Sequence, residues 1–327
     1  MPTRALSTKK DYGEEFMTKR LGWLTLALLL LLTGCGTAKN SDKTDKKETA
    51  VASADAAKQE EKDKDKDKDN QTLAESEEQE AFDPWKDYTV EIKDAVSKAV
   101  ASSESLSEEM EKIEKLQERY YDDPMMQEYS QAERNQIAQW LYVVWDTEIN
   151  NLWSRMSDEL DADTKEKVLT SQRIWIILKE AGLSEALSDY VDGSIYPMLQ
   201  SQELGKTTRT RVYYMADIFA KFKGEEFEKP ELPIVGRFVE PKDGKAERLL
   251  IIREGMEGGY LVMMSIDDVG SLTGTLVKEN GKWIFENSAF GIRGEIIVGW
   301  KGAAFKVKKT QGGVLKEGKT YRFSMIL

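Results

Sequence analysis

The chain has 327 residues, enough for about two ordinary domains. It is 40% hydrophobic and 32% charged, with eight Trp, a composition that buries a core and excludes disorder throughout. It has no His, which removes the commonest general base and metal ligand, and one Cys, which excludes an intrachain disulfide. The net charge of −12 is unevenly spread: roughly +2 over 1–35, −5 over 36–80, −12 over 81–229 and +3 over 230–327. Such acidity repels nucleic acid and attracts basic partners, and no basic patch with interleaved aromatics offsets it, so no nucleic-acid partner is expected.

Lys19 and Arg20 precede an apolar run over 21–32, the length of a signal-peptide core. A bilayer span needs about 20 apolar residues, so this run is too short to be one. It ends in Leu32-Thr33-Gly34-Cys35, which resembles the lipobox of bacterial lipoproteins. The resemblance implies cleavage before Cys35, acylation of that residue, and a lipid anchor in the cell membrane or outer membrane on its extracytoplasmic face. Several acyl chains on one residue suffice for stable anchoring. Residues 1–35 thus read as a lipoprotein signal peptide. Met17 is a candidate true start, because Asp11, Glu14 and Glu15 do not suit a signal n-region. Residues 36–83 hold few apolar side chains and repeat Lys-Asp over 62–69, so they read as a disordered charged linker. As a flexible tether this stretch would reach about 35–40 Å.

From 84 to 229 the periodicity is helical. Ile137, Trp140, Leu141, Val144, Trp145, Ile149, Leu152, Trp153 and Met156 recur at spacings of three and four. Val168, Leu169, Trp175, Ile176 and Leu178 form a second stripe, and Asp161 stands where it can cap that helix. A third helix is predicted over about 206–223, with an earlier pair over about 88–102 and 104–121. Trp153 and Trp175 are expected to be buried on consecutive antiparallel helices.

Five blocks within this region carry a resemblance. They are Gln131-Ala132-Glu133-Arg134-Asn135, then Asp146-Thr147-Glu148-Ile149-Asn150, then Ser171-Gln172-Arg173-Ile174-Trp175-Ile176 followed by Lys179-Glu180-Ala181. Gly193-Ser194-Ile195-Tyr196-Pro197 and Thr208-Arg209-Thr210-Arg211 complete the series. In order and spacing the segment resembles the N-terminal domain of LprI-type lysozyme inhibitors, a helical family of exported proteins. The resemblance implies a lysozyme-like partner and singles out Asn135, Asp146, Glu148, Asn150, Gln172, Arg173, Trp175, Gly193, Ser194, Thr208 and Arg211. Where members of that family often carry cysteines, this chain reads Ile137, Leu183 and, approximately, Glu203. Read physically, Asn150, Gln172 and Arg173 lie in or beside apolar stripes and are expected to hydrogen-bond across helices, since an unpaired buried polar group costs about 1–3 kcal/mol. Arg173 and Arg211 are natural partners for Asp146 or Glu148. Partner binding by some of these residues is the alternative.

Beyond Pro230 and Pro233 the period changes to two. Eight strands are predicted over 235–240, 248–253, 259–266, 272–278, 282–286, 291–299, 304–308 and 319–326. Lys242-Asp243-Gly244, Glu279-Asn280-Gly281 and Gln311-Gly312-Gly313 mark turns, with Asn280-Gly281 the strongest hairpin signal. Residues 230–327 are therefore an all-β domain, and its opening, Gly236-Arg237-Phe238, is similar to that of small lipocalin-like barrels.

The expected fold class is α+β multidomain: an N-terminal helical bundle followed by a small antiparallel β-barrel or sandwich. No nucleophile elbow, phosphate loop or metal-ligand cluster occurs, and no metal or cofactor is expected. The carboxylate pairs Asp122-Asp123 and Asp267-Asp268 read as a helix stop and a strand-end turn. The functional expectation is a non-enzymatic, membrane-anchored envelope lipoprotein that binds a basic protein, such as a lysozyme-like wall hydrolase, as an inhibitor. The alternative is binding of a small ligand or envelope component by the β-domain. An apolar pocket inside that domain would favour the alternative, and a filled interior would favour the inhibitor.

Overall fold

The computed structural model describes residues 82–327, apart from 256, 257, 267, 268, 312 and 314, with Asp123 described by its backbone alone. The expectations for the signal peptide, the lipobox with Leu32, Thr33, Gly34 and Cys35, and most of the linker lie outside the described residues. So does the turn expected at Asp267-Asp268.

Helix α1 (Thr89–Ala101) buries Ile92, Val96 and Ala99, one row along its length. Helix α2 (Leu106–Tyr120) starts at Ser105, whose side chain accepts from the Glu108 N–H, and buries Leu106, Met110, Ile113 and Tyr120. A single turn, α3 (Asp123–Met126), leads to α4 (Gln131–Glu159), which opens on a capping box between Ser130 and Glu133. Asp161 caps α5 (Ala162–Ala186) by accepting from the Thr164 N–H, as its position in the sequence suggests. A 3-10 turn (Ser188–Tyr190) follows, and then α6 (Tyr196–Lys223), which Gly224 ends in the left-handed region at φ +73°.

Helix α6 begins about ten residues before the predicted start. Pro197 lies in its first turn, where a missing N–H costs no intrahelical bond, so the Gly193–Pro197 block starts a helix and does not merely precede one.

The packing pairs show how the helices run. Gln131 meets Met198, Leu141 meets Gly205 and Trp145 meets Tyr213, so α4 and α6 are parallel. Helix α5 returns antiparallel to both: Lys165 Nζ donates to Ser157 O at 2.6 Å, and Lys179 Nζ stands 5.6 Å from the Tyr142 ring. Helix α2 crosses α4 antiparallel, with Trp145 Nε1 donating to Gln117 Oε1 at 2.7 Å. Trp175 is buried as expected, whereas Trp153 is only half-buried at the margin of the core.

The nine strands are β1 (Gly236–Lys242), β2 (Lys245–Glu254), β3 (Tyr260–Ile266), β4 (Gly270–Glu279), β5 (Lys282–Asn287), β6 (Ile292–Gly299), β7 (Gly302–Lys309), β8 (Thr320–Phe323) and β9 (Met325–Ile326). From β1 to β8, neighbours in sequence are antiparallel neighbours in space. The last predicted strand is broken at Ser324. Its first half pairs with β7 and its second with β1, so the sheet curls into a nearly closed antiparallel barrel and not a sandwich. Asn280 and Gly281 have φ of +49° and +78°, the double positive φ of a two-residue hairpin; Asp243 and Gly244 repeat it at +52° and +74°.

Phe238, Phe285, Phe305, Tyr321 and Phe323 fill the barrel together with aliphatic residues, with Phe285 and Phe305 edge-to-face at 5.4 Å. The outer wall meets the helices. Val239 and Leu327 are buried in the helical core, with Leu249, Trp300 and Met325 packed against it. Arg237 of β1 donates from Nη1 to Glu203 Oε2 at 2.7 Å and from Nη2 to Thr207 Oγ1 at 3.0 Å, both on α6.

A Cβ at Gly205 would overlap the Leu141 side chain and stand 3.2 Å from its carbonyl carbon. Gly205→Ala is therefore expected to lower stability by about 1–3 kcal/mol despite the better helix propensity of Ala. Urea melts of the two proteins check this.

Candidate functional site

The family-like residues lie on α4, α5, α6 and the turn between the last two, and they fall into four groups. Asn135 ties the start of α4 to the turn before α6: its Nδ2 donates to Ser194 O at 2.9 Å, and its Oδ1 accepts from Gln131 Nε2 at 2.9 Å. Gly193 donates its N–H to Tyr190 O at 2.8 Å and holds that turn. Both Gly193 and Ser194 are exposed, so the pair acts through backbone groups.

The second group centres on Asp146. It accepts from the Tyr142 hydroxyl at 3.0 Å and from Asn150 Nδ2 at 3.3 Å; Asn150 also donates to the Asp146 carbonyl at 2.6 Å. Asn150 is exposed and bonds only along its own helix, which corrects the expectation of a cross-helix partner. Lys179 lies nearby, buried, with its ammonium 4.9 Å from the Trp175 ring. Burial holds its pKa below the usual lysine value, against the pull of Glu180 and Asp146.

The third group is Arg211 with Gln172, Ser171, Trp175 and Tyr214. Arg211 Nε donates to Gln172 Oε1 at 2.8 Å and Nη2 donates to Ser171 Oγ at 3.0 Å. The guanidinium stacks 4.8 Å from the Tyr214 ring and 5.6 Å from Trp175. Gln172 does bond across helices, but its partner is Arg211, and neither Asp146 nor Glu148 pairs with that arginine. Arg173 is exposed. Thr208 is buried and donates its hydroxyl to Leu204 O at 2.7 Å, within α6.

Glu148 forms the fourth group with Glu109 and Arg155. It is fully buried on α4. Arg155 forms a two-pronged pair with Glu109 of α2, at 3.0 Å from Nη1 and 2.5 Å from Nη2, and stands 3.7 Å from Glu148. With both acids ionised, no donor reaches either Glu148 oxygen. A proton shared with the neighbouring Glu109 carboxylate supplies one. Burial first, and then Glu109, push the Glu148 carboxyl well above the usual carboxylate range, with Arg155 opposing.

Residues 122–215 match the family model Lysozyme inhibitor LprI. No curated protein and no solved structure matches the chain. The LprI segment spans α3, α4, α5 and most of α6, and all four groups fall within it, apart from Glu109. Ile137 and Leu183 are buried core residues, and Glu203 holds Arg237 of the barrel.

Glu109, Gln117 and Glu114 are contributions from outside the LprI segment that sequence reasoning missed. They reach Arg155, Trp145, and Arg209 with Tyr213 respectively. The only signal available was their place on or beside the buried row of α2. Among the described residues no three carboxylates or other ligating side chains converge to hold a metal ion.

The folded Glu148 keeps its proton to a higher pH than an unfolded glutamate. Its contribution to stability is therefore full below the ordinary glutamate pKa and is lost as the pH rises through its raised folded value. Glu148→Gln removes that loss and keeps a donor for Glu109. The variant is expected to exceed the parent in stability by about 1–3 kcal/mol at pH 8, with the gap closing toward pH 4. Denaturant melts across that range read the difference.

Proposed function

We propose that this chain is an envelope lipoprotein, anchored through acylated Cys35, that binds a basic wall hydrolase of the lysozyme type and inhibits it. The observation that carries the reading is the LprI match over 122–215 on a helical region whose net charge is roughly −12.

The distribution of charge supports it. The basic groups Lys179 and Arg211 of the LprI segment are buried among aromatic rings, and Arg155 is half-buried on Glu109. Most acids of the segment stay exposed, Glu148 being the buried exception. Along α5 and the turn after it, Glu180, Glu185, Asp189 and Asp192 are exposed, as are Ile176, Ile177, Tyr190 and Val191. An acidic surface that also offers apolar side chains suits a basic protein: charge steers the encounter and apolar contact holds it. No residue is given a catalytic role. The filled barrel interior speaks against a ligand held inside the β-domain.

Two experiments test the two halves of this reading. The whole chain, titrated against several lysozymes, is expected to bind and inhibit at low salt and to weaken steeply as salt rises. Glu180→Lys with Asp189→Lys is expected to weaken binding about tenfold, mainly through association rate. Absence of binding at micromolar concentration and low salt sinks the inhibitor reading. For the anchor, Cys35→Ser is expected to abolish incorporation of a fatty-acid label, and equal labelling of both proteins would refute it.

A further inference from the structure

Arg211 is 5% exposed. Its two bonded acceptors, Gln172 Oε1 and Ser171 Oγ, are neutral. Among the described residues no carboxylate pairs with it and no partner takes Nη1. The other deeply placed guanidinium groups differ: Arg155 has Glu109, and Arg237 has Glu203. Burial pushes the Arg211 pKa down to about 10, so it is still charged at neutral pH. A buried charge without a counter-ion is costly unless an anion completes it.

Arg211 is among the residues lining a recess of about 50 Å³ where α5 and α6 meet the end of the barrel. The hydroxyl-bearing residues Tyr214 and Ser171 line it from the helices, and Ser324, at the break between β8 and β9, lines it from the barrel. The Tyr214 and Ser324 hydroxyls donate to no described residue. Trp300 and Met325 supply an apolar flank. Since one water needs about 10–15 Å³ measured this way, the recess takes roughly four small heavy atoms.

We propose that this recess is a binding site for a small monocarboxylate, whose oxygens meet Arg211 Nη1 and the Tyr214 and Ser324 hydroxyls while its short alkyl part lies on Trp300 and Met325. With Nε and Nη2 already bonded, Nη1 offers a charge-assisted N–H to one carboxylate oxygen, and the hydroxyls serve the other. One uncompensated positive charge beside an apolar wall suits a monoanion with a methyl group better than a dianion with oxygens on every side. The site would bridge helices and barrel, and it is independent of the lysozyme reading, which rests on the outer face of α5.

The test uses the full-length chain titrated with sodium acetate at constant ionic strength, chloride being the balancing ion. Trp emission and Tm are followed. A saturable millimolar response is expected. Tyr214→Phe should weaken it about tenfold, the loss of one hydrogen bond to a charged group. Ser324→Leu, which fills the recess from the barrel side and leaves the Arg211 bonds in place, should abolish it, as should Arg211→Gln. Where Arg211→Gln fails to fold, judged by far-UV circular dichroism, the other two variants decide. No saturable acetate response, an equal response to phosphate, or a response that survives Ser324→Leu would overturn the proposal.

Discussion

Helices α4 and α6 run parallel, and Gly205 lies against Leu141 with no room for a methyl group. Two helices that are parallel and close cannot be joined by a tight turn. The chain must travel back the whole length of α4 first, and the 25 residues of α5 do so. That return sets the rest of the helical region. One face of α5 turns inward with Val168, Trp175, Leu178 and Leu183, while Ile176 and Ile177 are left outside. The two long helices also share their second neighbour, because Trp145 of α4 and Tyr213 of α6 both hydrogen-bond to α2, at Gln117 and Glu114.

The same constraint explains where the charges went. A core built around two parallel helices has polar residues that cannot leave it, and each finds a different solution. Glu148 takes a carboxylate neighbour, Glu109, and burial with that neighbour raises its pKa. Lys179 takes aromatic faces, at 4.9 Å from Trp175 and 5.6 Å from Tyr142. Arg211 takes two neutral acceptors and two rings. Trp175 is common to both of these cations. With Lys179 and Arg211 withdrawn, the exposed acids of α5, Asp163, Glu166, Glu180 and Glu185, outnumber its exposed bases, Lys167 and Arg173.

Much of this was legible in the sequence, and the failures have physical causes. The stripes that define α4 and α5 are read from spacing alone, and Asp161 places the start of α5; the capping box of Ser130 and Glu133 at the start of α4 was not read. The eight strands follow from alternation and from Asn280-Gly281, because a double positive φ admits few other residues. The break at Ser324 was hidden: residues 320–326 alternate well enough to read as one strand, and only barrel closure decides that its halves face different neighbours. Pairing Arg211 with either Asp146 or Glu148 was the clearest error. Residues two apart on a helix point about 200° apart, so the two acids never faced one partner, and the arginine found neither. Asn150 failed for a related reason, since it lies on the wet side of α4 and closes on Asp146, four residues back.

The LprI match ends inside α6, yet the packing does not end there. The barrel reaches back through Arg237 to Glu203 and Thr207, and Leu327 lies 3.1 Å from where a Cβ on Gly182 would be. Val239, Leu249 and Met325 cover the same helical core. On the other side, α2 supplies Glu109 to the Arg155–Glu148 cluster. A fragment cut at the match boundaries would leave Glu148 without its carboxylate neighbour and Arg237's partners facing water. It would also expose the apolar rows that α1, α2 and the barrel wall now cover, and such newly bared surface binds other proteins without specificity. Binding measured on such a piece would therefore confuse exposed core with a real docking face. The acidic face of α5 has to be judged with both flanks in place.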